Sequence, residues 1–564
     1  MNYALASILL CASLHVYAQS TSLPLHSPGQ YILSRLDILG GGDSPVHPEV
    51  QPYSRGDAAE LARQWASADS SRSRVVRQER QYLFDDNTEW LTAADSARWR
   101  HNKKPLLKWF YRTPANLFEV NVPAFHLRVN PMLHFAAGQA KDDAELIFYN
   151  QRGLEVRGDV DGRVFFYTNI VETQARFPDY VNQWATEYQA VPGAGFFKTY
   201  KSELFNIRNG YDFNLANAYI GGNITKHIGV QFGHGQHFIG NGYRSLFLSD
   251  VGNYAFFLKI STRIWKLHYQ NLFLELNPIS TAVPRPANSL LPKKYAAVHY
   301  LNYRLTPNLA FGFFEATVFN RGRQFEFQYL NPVILYRTVE GMSGSPDNVL
   351  IGIDGRWNFL RHFQVYGQFM IDEFLFSALY KPEEKGWWGN KFGGQFGVKY
   401  LNAFGVDHLD LQVEYNTVRP YTYSSFDSLN SYTHYNQPLA HPLWANFKEL
   451  VALVRLQPTP RLRFAGRLIY AQTGENPAGA NIGANPLLSN VSRTGDYGNT
   501  TGQGVGADIL LVGFDASWQL YHNIYFDFNL LWRRKDSMDD ARDLDTQLIT
   551  AGLRMNLWKR NLDF

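Results

Sequence analysis

From Leu117 onward, apolar and polar residues alternate with a period of two in segment after segment. In residues 408–416, Leu409, Leu411, Val413 and Tyr415 fall on one side of an extended chain. His408, Asp410, Gln412, Glu414 and Asn416 fall on the other. Phe363, Val365, Phe369 and Ile371 likewise oppose Gln364, Gln368 and Asp372, and Ile524, Phe526, Phe528, Leu530 and Trp532 oppose Asp527 and Asn529. Leu462, Phe464, Leu468 and Tyr470 stand against Arg463 and Arg467; Ile549, Ala551, Leu553, Met555 and Leu557 stand against Arg554 and Asn556. Successive side chains of a strand point to opposite faces, so the pattern predicts many β-strands with one apolar face each.

A soluble sandwich alternates too, but composition and strand number separate the cases. Charged residues make up 18% of the 564, aromatics 15%, and the mean hydropathy is −0.30. That hydropathy excludes a bundle of apolar helices, and past residue 20 there is no apolar run long enough to span a bilayer. A closed barrel reconciles sparse charge with modest hydropathy, because only every second strand residue meets lipid. Backbone N–H groups in hydrocarbon must be paired, which forces closure, and a charge on the lipid face costs about 2–4 kcal/mol near the midplane. The charged set must therefore face the lumen. At roughly 25 residues per strand and loop, residues 110–564 would hold roughly 16–18 strands, within the range of bacterial barrels.

The first 105 residues read differently. Leu5–Leu14 is apolar and Val16-Tyr17-Ala18 offers a small residue for cleavage before Gln19, so residues 1–18 are expected to be a signal peptide, although no Lys or Arg precedes the apolar run. The single cysteine, Cys11, lies in this leader, which leaves the mature chain without disulfides or thiolate metal sites. In residues 19–105, Asp57 and Glu60 have capping-box spacing. Leu61, Trp65, Val75, Val76 and Tyr82 follow a patchy helical period, and Arg72, Arg74, Arg77, Glu79 and Arg80 would form a solvated face. One or two short helices are expected here, capping the periplasmic mouth of a barrel spanning 106–564. Phe564, with Leu562 two before it, resembles the aromatic signal on a final strand that outer-membrane assembly machinery reads. Arg560 interrupts that pattern, which a register break near Trp558 would explain.

Candidate chemistry gathers in three places. Residues 421–446 and 474–507 read as long external loops. In the first, Tyr432, His434, Tyr435, Asn436, His441 and Trp444 are polysaccharide-binding candidates, since an aromatic ring with a polar tip suits pyranose stacking. An aromatic girdle, or packing of the loop on itself, would need the same residues. The glycine-rich stretch 232–245 would fold inward as a constriction, with His234, His237 and Arg244 facing the lumen; its two histidines lack a third ligand at a metal spacing. Glu315, Asp372 and Glu373 are expected in the lumen too, within reach of arginines such as Arg244, Arg304 or Arg337. No GxSxG or HExxH element is present, and the net charge of +4 carries no nucleic-acid signal. No catalysis, cofactor or metal is expected.

Several ordered segments carry a family resemblance: Pro52-Tyr53-Ser54-Arg55-Gly56-Asp57-Ala58-Ala59, the stretch Phe232 to Asp250, Phe314-Glu315-Ala316, Tyr329-Leu330-Asn331-Pro332, Tyr366-Gly367-Gln368-Phe369 with Asp372-Glu373, and Tyr435 to Pro442. Together they resemble the capsule-assembly Wzi-like outer-membrane proteins, and within them the RemB-like gliding-motility branch. The resemblance implies an all-β transmembrane barrel of 18 antiparallel strands with a small N-terminal α-helical periplasmic plug. It also implies attachment or organisation of surface polysaccharide without catalysis, with outer-membrane lipid as surroundings. A diffusion channel and an outer-membrane enzyme are the competing expectations.

Overall fold

The computed structural model describes residues 20–564, apart from 43, 68–72, 104–105, 142, 204–206, 285, 287, 323 and 345–346. The expected signal peptide and Cys11 lie outside the described residues. The alternating segments form one closed antiparallel barrel. Its eighteen strands are β1 (Phe125–Ala140), β2 (Ile147–Val160), β3 (Val164–Arg176), β4 (Ile207–Asn223), β5 (Ile228–Gly235), β6 (Ala255–Ile264), β7 (Leu267–Leu276), β8 (Lys294–Thr306), β9 (Leu309–Phe319), β10 (Asn348–Phe359), β11 (Phe363–Glu373), β12 (Lys391–Tyr400), β13 (Leu409–Val418), β14 (Phe447–Thr459), β15 (Leu462–Glu475), β16 (Val505–Tyr521), β17 (Ile524–Ser537) and β18 (Leu544–Met555). Each pairs with its neighbours in sequence, and β18 closes on β1 from Leu548 opposite Ala140 to Met555 opposite Leu133. A short strand, Phe118–Val122, pairs with the lower part of β1 that β18 leaves free.

The faces sort as the alternation requires. Val413 and Tyr415 of β13 are exposed to the outside, whereas Asp410, Gln412, Glu414 and Asn416 are buried in the lumen. Phe526, Leu530 and Trp532 of β17 and Ile549 and Leu553 of β18 also face out, opposite Asp527, Asn529 and Arg554 inside. No described helix is long and apolar enough to cross a membrane, so crossing rests with the strands. Tight turns such as 161–163, 265–266, 307–308 and 522–523 close one end; the connections 177–206, 236–254, 320–347, 419–446 and 476–504 rise from the other. In outer-membrane barrels the short turns face the periplasm and the long loops face outward.

Three helices, rather than one or two, plug the short-turn end: α1 (Pro28–Gly40), α2 (Arg55–Ser67) and α3 (Arg74–Asp86). Ser27 caps α1 and Gly41 ends it at φ +77°. Leu33, Leu36, Leu61, Ala62, Trp65, Tyr82 and Leu83 make the plug its own small core. The surface that faces the barrel wall is held by buried ion pairs and a hydrogen bond. Arg356 of β10 donates from Nη1 to Asp37 and from Nε to Glu49, both at 2.6 Å. Arg157 of β2 holds Glu89 at 2.9 Å, Arg35 of α1 holds Asp410 of β13 at 2.9 Å, and Tyr82 donates to Asn523 at 2.7 Å. Two expectations are corrected by this packing. Asp57 does not cap a helix: α2 starts earlier, at Arg55, and Asp57 pairs with Arg263 of β6 at 2.7 Å. Glu79 is not on a solvated face: it is 2% exposed, between Arg35 and His408.

Two further α-helices among the described residues belong to the long connections. The one between β3 and β4 carries α4 (Asp179–Tyr188). The one between β9 and β10 lies outside the ring as a flap carrying α5 (Tyr336–Ser343) against the outer wall, where Tyr329, Tyr336 and Val339 pack on Phe273, Ala297 and Phe319. Tyr269 and Asn271 of β7 donate to the Pro332 carbonyl, the latter at 3.2 Å. The outer surface of the flap presents Phe327, Val333, Leu335 and Met342.

The chain leaves β18 at Met555 and does not continue as a strand. Residues 556–564 turn back into the lumen, where Asp563 meets Arg244 at 3.2 Å. Phe564 packs against Tyr180 and Trp184 near the long-loop end. Phe564 is therefore no terminal residue of a membrane strand, which corrects that reading of the last segment.

Candidate functional site

The helix of the first long connection builds the site. Pro178 precedes α4 as its N-cap residue, and Gln189 ends it in the left-handed region. Val181 and Ala185 are buried, Val181 within the cluster of Phe177, Tyr180, Val191 and Phe213. Tyr180, Trp184 and Tyr188 recur every fourth residue, so they share one face. That face, with Gln183 and Glu187, forms one wall of a basin of about 540 Å³ at the long-loop end. Tyr188 meets Trp184 and Trp444 with ring centroids 5.0 Å away in each case, and Phe564 lies 5.5 Å from Trp184.

The opposite wall is charged. Arg533 and Lys535 point inward from β17, and Arg542 reaches in from the β17–β18 connection. Glu475 accepts from Arg542 at 3.0 Å and also pairs with Lys535. Arg533 is 5% exposed; it lies 4.8 Å over the Tyr180 ring and donates from Nε to a main-chain oxygen of the last residue, Phe564, at 2.8 Å. Its Nη1, and the indole N–H groups of Trp184 and Trp444, are buried with no hydrogen-bond partner among the described residues. An aromatic wall facing a few convergent polar groups is the usual build of a small-molecule or saccharide site. Among the described residues there is no group of three or more metal-ligating side chains.

The six candidates of the 421–446 segment come together, but mostly inside. The segment folds down into the barrel mouth and spends its polar groups on itself. Tyr432 and His434 are 1% exposed and His441 fully buried. His434 accepts from the Asn277 N–H at 3.0 Å and donates to the Tyr254 carbonyl at 3.0 Å; burial pushes its pKa down to about 3. His441 donates to Glu449 at 2.8 Å, and burial outweighs that carboxylate and lowers its pKa. Tyr432 stacks on Tyr423. These three do not reach an external polymer, which corrects their placement on an outer surface. Tyr435 is half-buried, Asn436 donates to the Tyr188 carbonyl at 2.9 Å behind α4, and Trp444 alone of the six lines the basin.

The lumen candidates divide. Arg244 sits inside, 2.9 Å from Glu449, and its backbone N–H donates to Glu414 at 3.0 Å. His237 is buried inside against the Phe257 ring, and Asp372 pairs inside with Lys391 at 3.1 Å. Glu373 sits at the rim, half-exposed, 3.3 Å from the same lysine. His234 shares the outward parity of Phe232 on β5 and packs beside Phe256, so it faces out. Glu315 also faces out, in step with exposed Phe311. A carboxylate survives there because the flap covers it: Glu315 accepts the Arg337 N–H at 3.1 Å and so caps the first turn of α5. The stretch 232–245 thus contributes an inward loop whose first residues still belong to the wall.

Of the residues that line the basin, the sequence pointed only to Trp444. The spacing of Trp184 and Tyr188 in a segment between strands was the one available signal for the rest.

The family model for "Capsule assembly protein Wzi" matches residues 147–536 of this chain. No curated protein sequence matches it. Among solved structures, the chain is similar to Wzi of Escherichia coli, described as an outer-membrane protein involved in group 1 capsule assembly and a carbohydrate-binding β-barrel. The TM-score is 0.57 at 14% identity, with 96% of this chain and 100% of that one covered. OprD of Pseudomonas aeruginosa is also similar, with a TM-score of 0.42, 11% identity, and 76% of this chain and 94% of that one covered.

Proposed function

The chain belongs to the Wzi capsule-assembly family of outer-membrane β-barrels, and from that premise we propose that it holds surface polysaccharide in the basin between α4 and β17. The observation that carries the reading is the set of unpartnered buried donors on Trp184, Trp444 and Arg533 beside a stacked aromatic wall. Rings offer pyranose faces a platform, and donors without partners are satisfied by sugar hydroxyls, since an unmade hydrogen bond costs about 1–3 kcal/mol. The role is binding rather than turnover. The plug, the inward loops and the C-terminal tail obstruct the lumen and leave a pocket of about 280 Å³ among them, which speaks against an open diffusion channel. Support of gliding is the finer part of this proposal: a polymer held at the surface is what a moving cell would pull against.

The test is retention of surface polysaccharide in cells carrying Trp184→Ala with Trp444→Ala. Loss of cell-bound glycan at unchanged barrel levels, with slower surface spreading, is expected. Normal retention in the double variant would remove the basin from the function.

A further inference from the structure

We infer that residues 98–112 form a foot that docks on the periplasmic leaflet of the outer membrane and binds anionic phospholipid headgroups there. This segment joins the plug to the short strand Phe118–Val122. It carries six Lys or Arg and no Asp or Glu, against a net charge of +4 for the whole chain. Arg98 and Arg100 are used on Asp95 and Asp85. Lys103, Lys108 and Arg112 are exposed and meet no carboxylate among the described residues. Between them stand Leu106, Leu107 and Trp109, which are 58%, 73% and 63% exposed. Cations interleaved with large apolar side chains suit a segment that lies in a membrane interface: the apolar groups enter the acyl boundary and the cations stay at the phosphates.

The backbone presents these groups at a cost. The Asn102 N–H donates to the Arg112 carbonyl at 2.9 Å and the Phe110 N–H to the Leu106 carbonyl at 2.9 Å, so the ends of the segment meet and its middle forms a tight tip. The two residues of that tip, Leu107 and Lys108, both lie in the left-handed region, at φ +49° and +64°. Glycine or asparagine holds such a turn without strain; leucine and lysine do not. The strained pair offers one apolar side chain and one cation to the surroundings. The foot also lies against the outer wall. Phe118 stands opposite Val129 of β1, in step with exposed Phe135, so it faces lipid. Phe110 packs on Phe118 with ring centroids 6.4 Å apart, and Arg112 lies 5.2 Å over the Trp109 ring. The foot is thus continuous with the lipid-facing band of β1, at the end of the barrel where the short turns lie. A headgroup of net negative charge meets both the apolar tip and the unpaired cations; a zwitterionic one meets only the tip.

The experiment uses the full chain with Cys11→Ser and Leu107→Cys, so that a fluorophore sits on one thiol at the tip. The labelled protein is reconstituted in vesicles of phosphatidylcholine alone or mixed with phosphatidylglycerol, and bromine on the acyl chains quenches the label when the foot is docked. Stronger quenching is expected in the anionic vesicles, fading as salt rises. Each cation at an anionic surface shifts docking by about fivefold, so Lys103→Gln with Lys108→Gln should lower the docked-to-undocked ratio there roughly thirtyfold. Heat-modifiable gel mobility reports that the barrel is folded. Equal quenching in both lipids, a preference that survives the double variant in a folded barrel, or a label left in water in both would overturn the inference. A label shielded by added peptidoglycan and by neither lipid would assign the foot to the cell wall, and would overturn it as well.

Discussion

Replacing Arg356 by Met would strand two carboxylates at once. Asp37 and Glu49 are 0% and 1% exposed as residues, and Arg356 supplies both with a 2.6 Å charged hydrogen bond. Asp37 retains Ser44 Oγ at 2.7 Å and Asn358 Nδ2 at 3.1 Å, but neither is a cation. Removing one partner of a buried ion pair destabilises by about 3–5 kcal/mol, because the other charge stays buried. The cost falls on the docked plug rather than on the barrel, whose strand ladders do not involve the Arg356 side chain. At about 1.4 kcal/mol per decade, the undocked population rises roughly a hundredfold to several thousandfold. Hydrogen exchange of the α1 and α2 amides should accelerate by that factor, and single-channel openings should appear in planar bilayers where the parent protein is silent. Arg356→Met with Asp37→Asn and Glu49→Gln removes the stranded charge and should recover most of the protection. Protection of α1 unchanged within about tenfold in the single variant, or no recovery in the triple one, would refute the ion-pair reasoning.

Further outcomes follow from other contacts. Glu315→Ala removes the carboxylate that caps α5, a change of about 0.5–2 kcal/mol, so exchange in the flap should speed up by a few-fold to about thirtyfold while the strands stay protected. An unchanged flap would mean that apolar packing alone holds it. His26 and Asp250 pair at 2.5 Å, tying the start of the plug segment to the inward loop. Burial lowers the His26 pKa, but the Asp250 charge more than reverses this and raises it above its ordinary 6.5; the same pairing holds Asp250 down at about 2. The histidine's contribution is fully present below pH 6.5 and fades as pH climbs through the raised value. The aspartate's is present above its ordinary 3.8 and is lost as pH falls toward 2. Protection factors of residues 20–28 should thus be highest between those limits and flatten with pH in His26→Gln; a pH dependence that survives the variant would refute the assignment.

The strands were legible because hydrocarbon tolerates no compromise: charge on the outer face of β13 or β17 would be punished wherever it stood in the chain. The plug was harder. Glu79 reads as part of a solvated helical face, and what buries it is His408, more than three hundred residues away. Glu315 misled for a related reason. The run Phe311 to Val318 is apolar on both faces, so parity could not assign the carboxylate to a side, and the flap that hides it arrives later in the chain. In the 421–446 segment, composition picked out the aromatic and amide residues, but the same groups serve equally to satisfy the loop's own backbone. The basin escaped because its walls come from separate connections and a strand end, with Arg533 and Trp184 far apart in sequence.

The tail that leaves β18 has a consequence for how the molecule comes together. β18 and β1 form the hem that shuts the cylinder, and the nine residues after Met555 are already inside it, gripped by Arg244 and Arg533. The three helices at the other mouth are held by wall residues from β2, β6, β10 and β13. The strand that shuts the cylinder and the segment that lies in its interior are thus one short stretch of chain, so closing the ring and seating the tail are tied together at Met555.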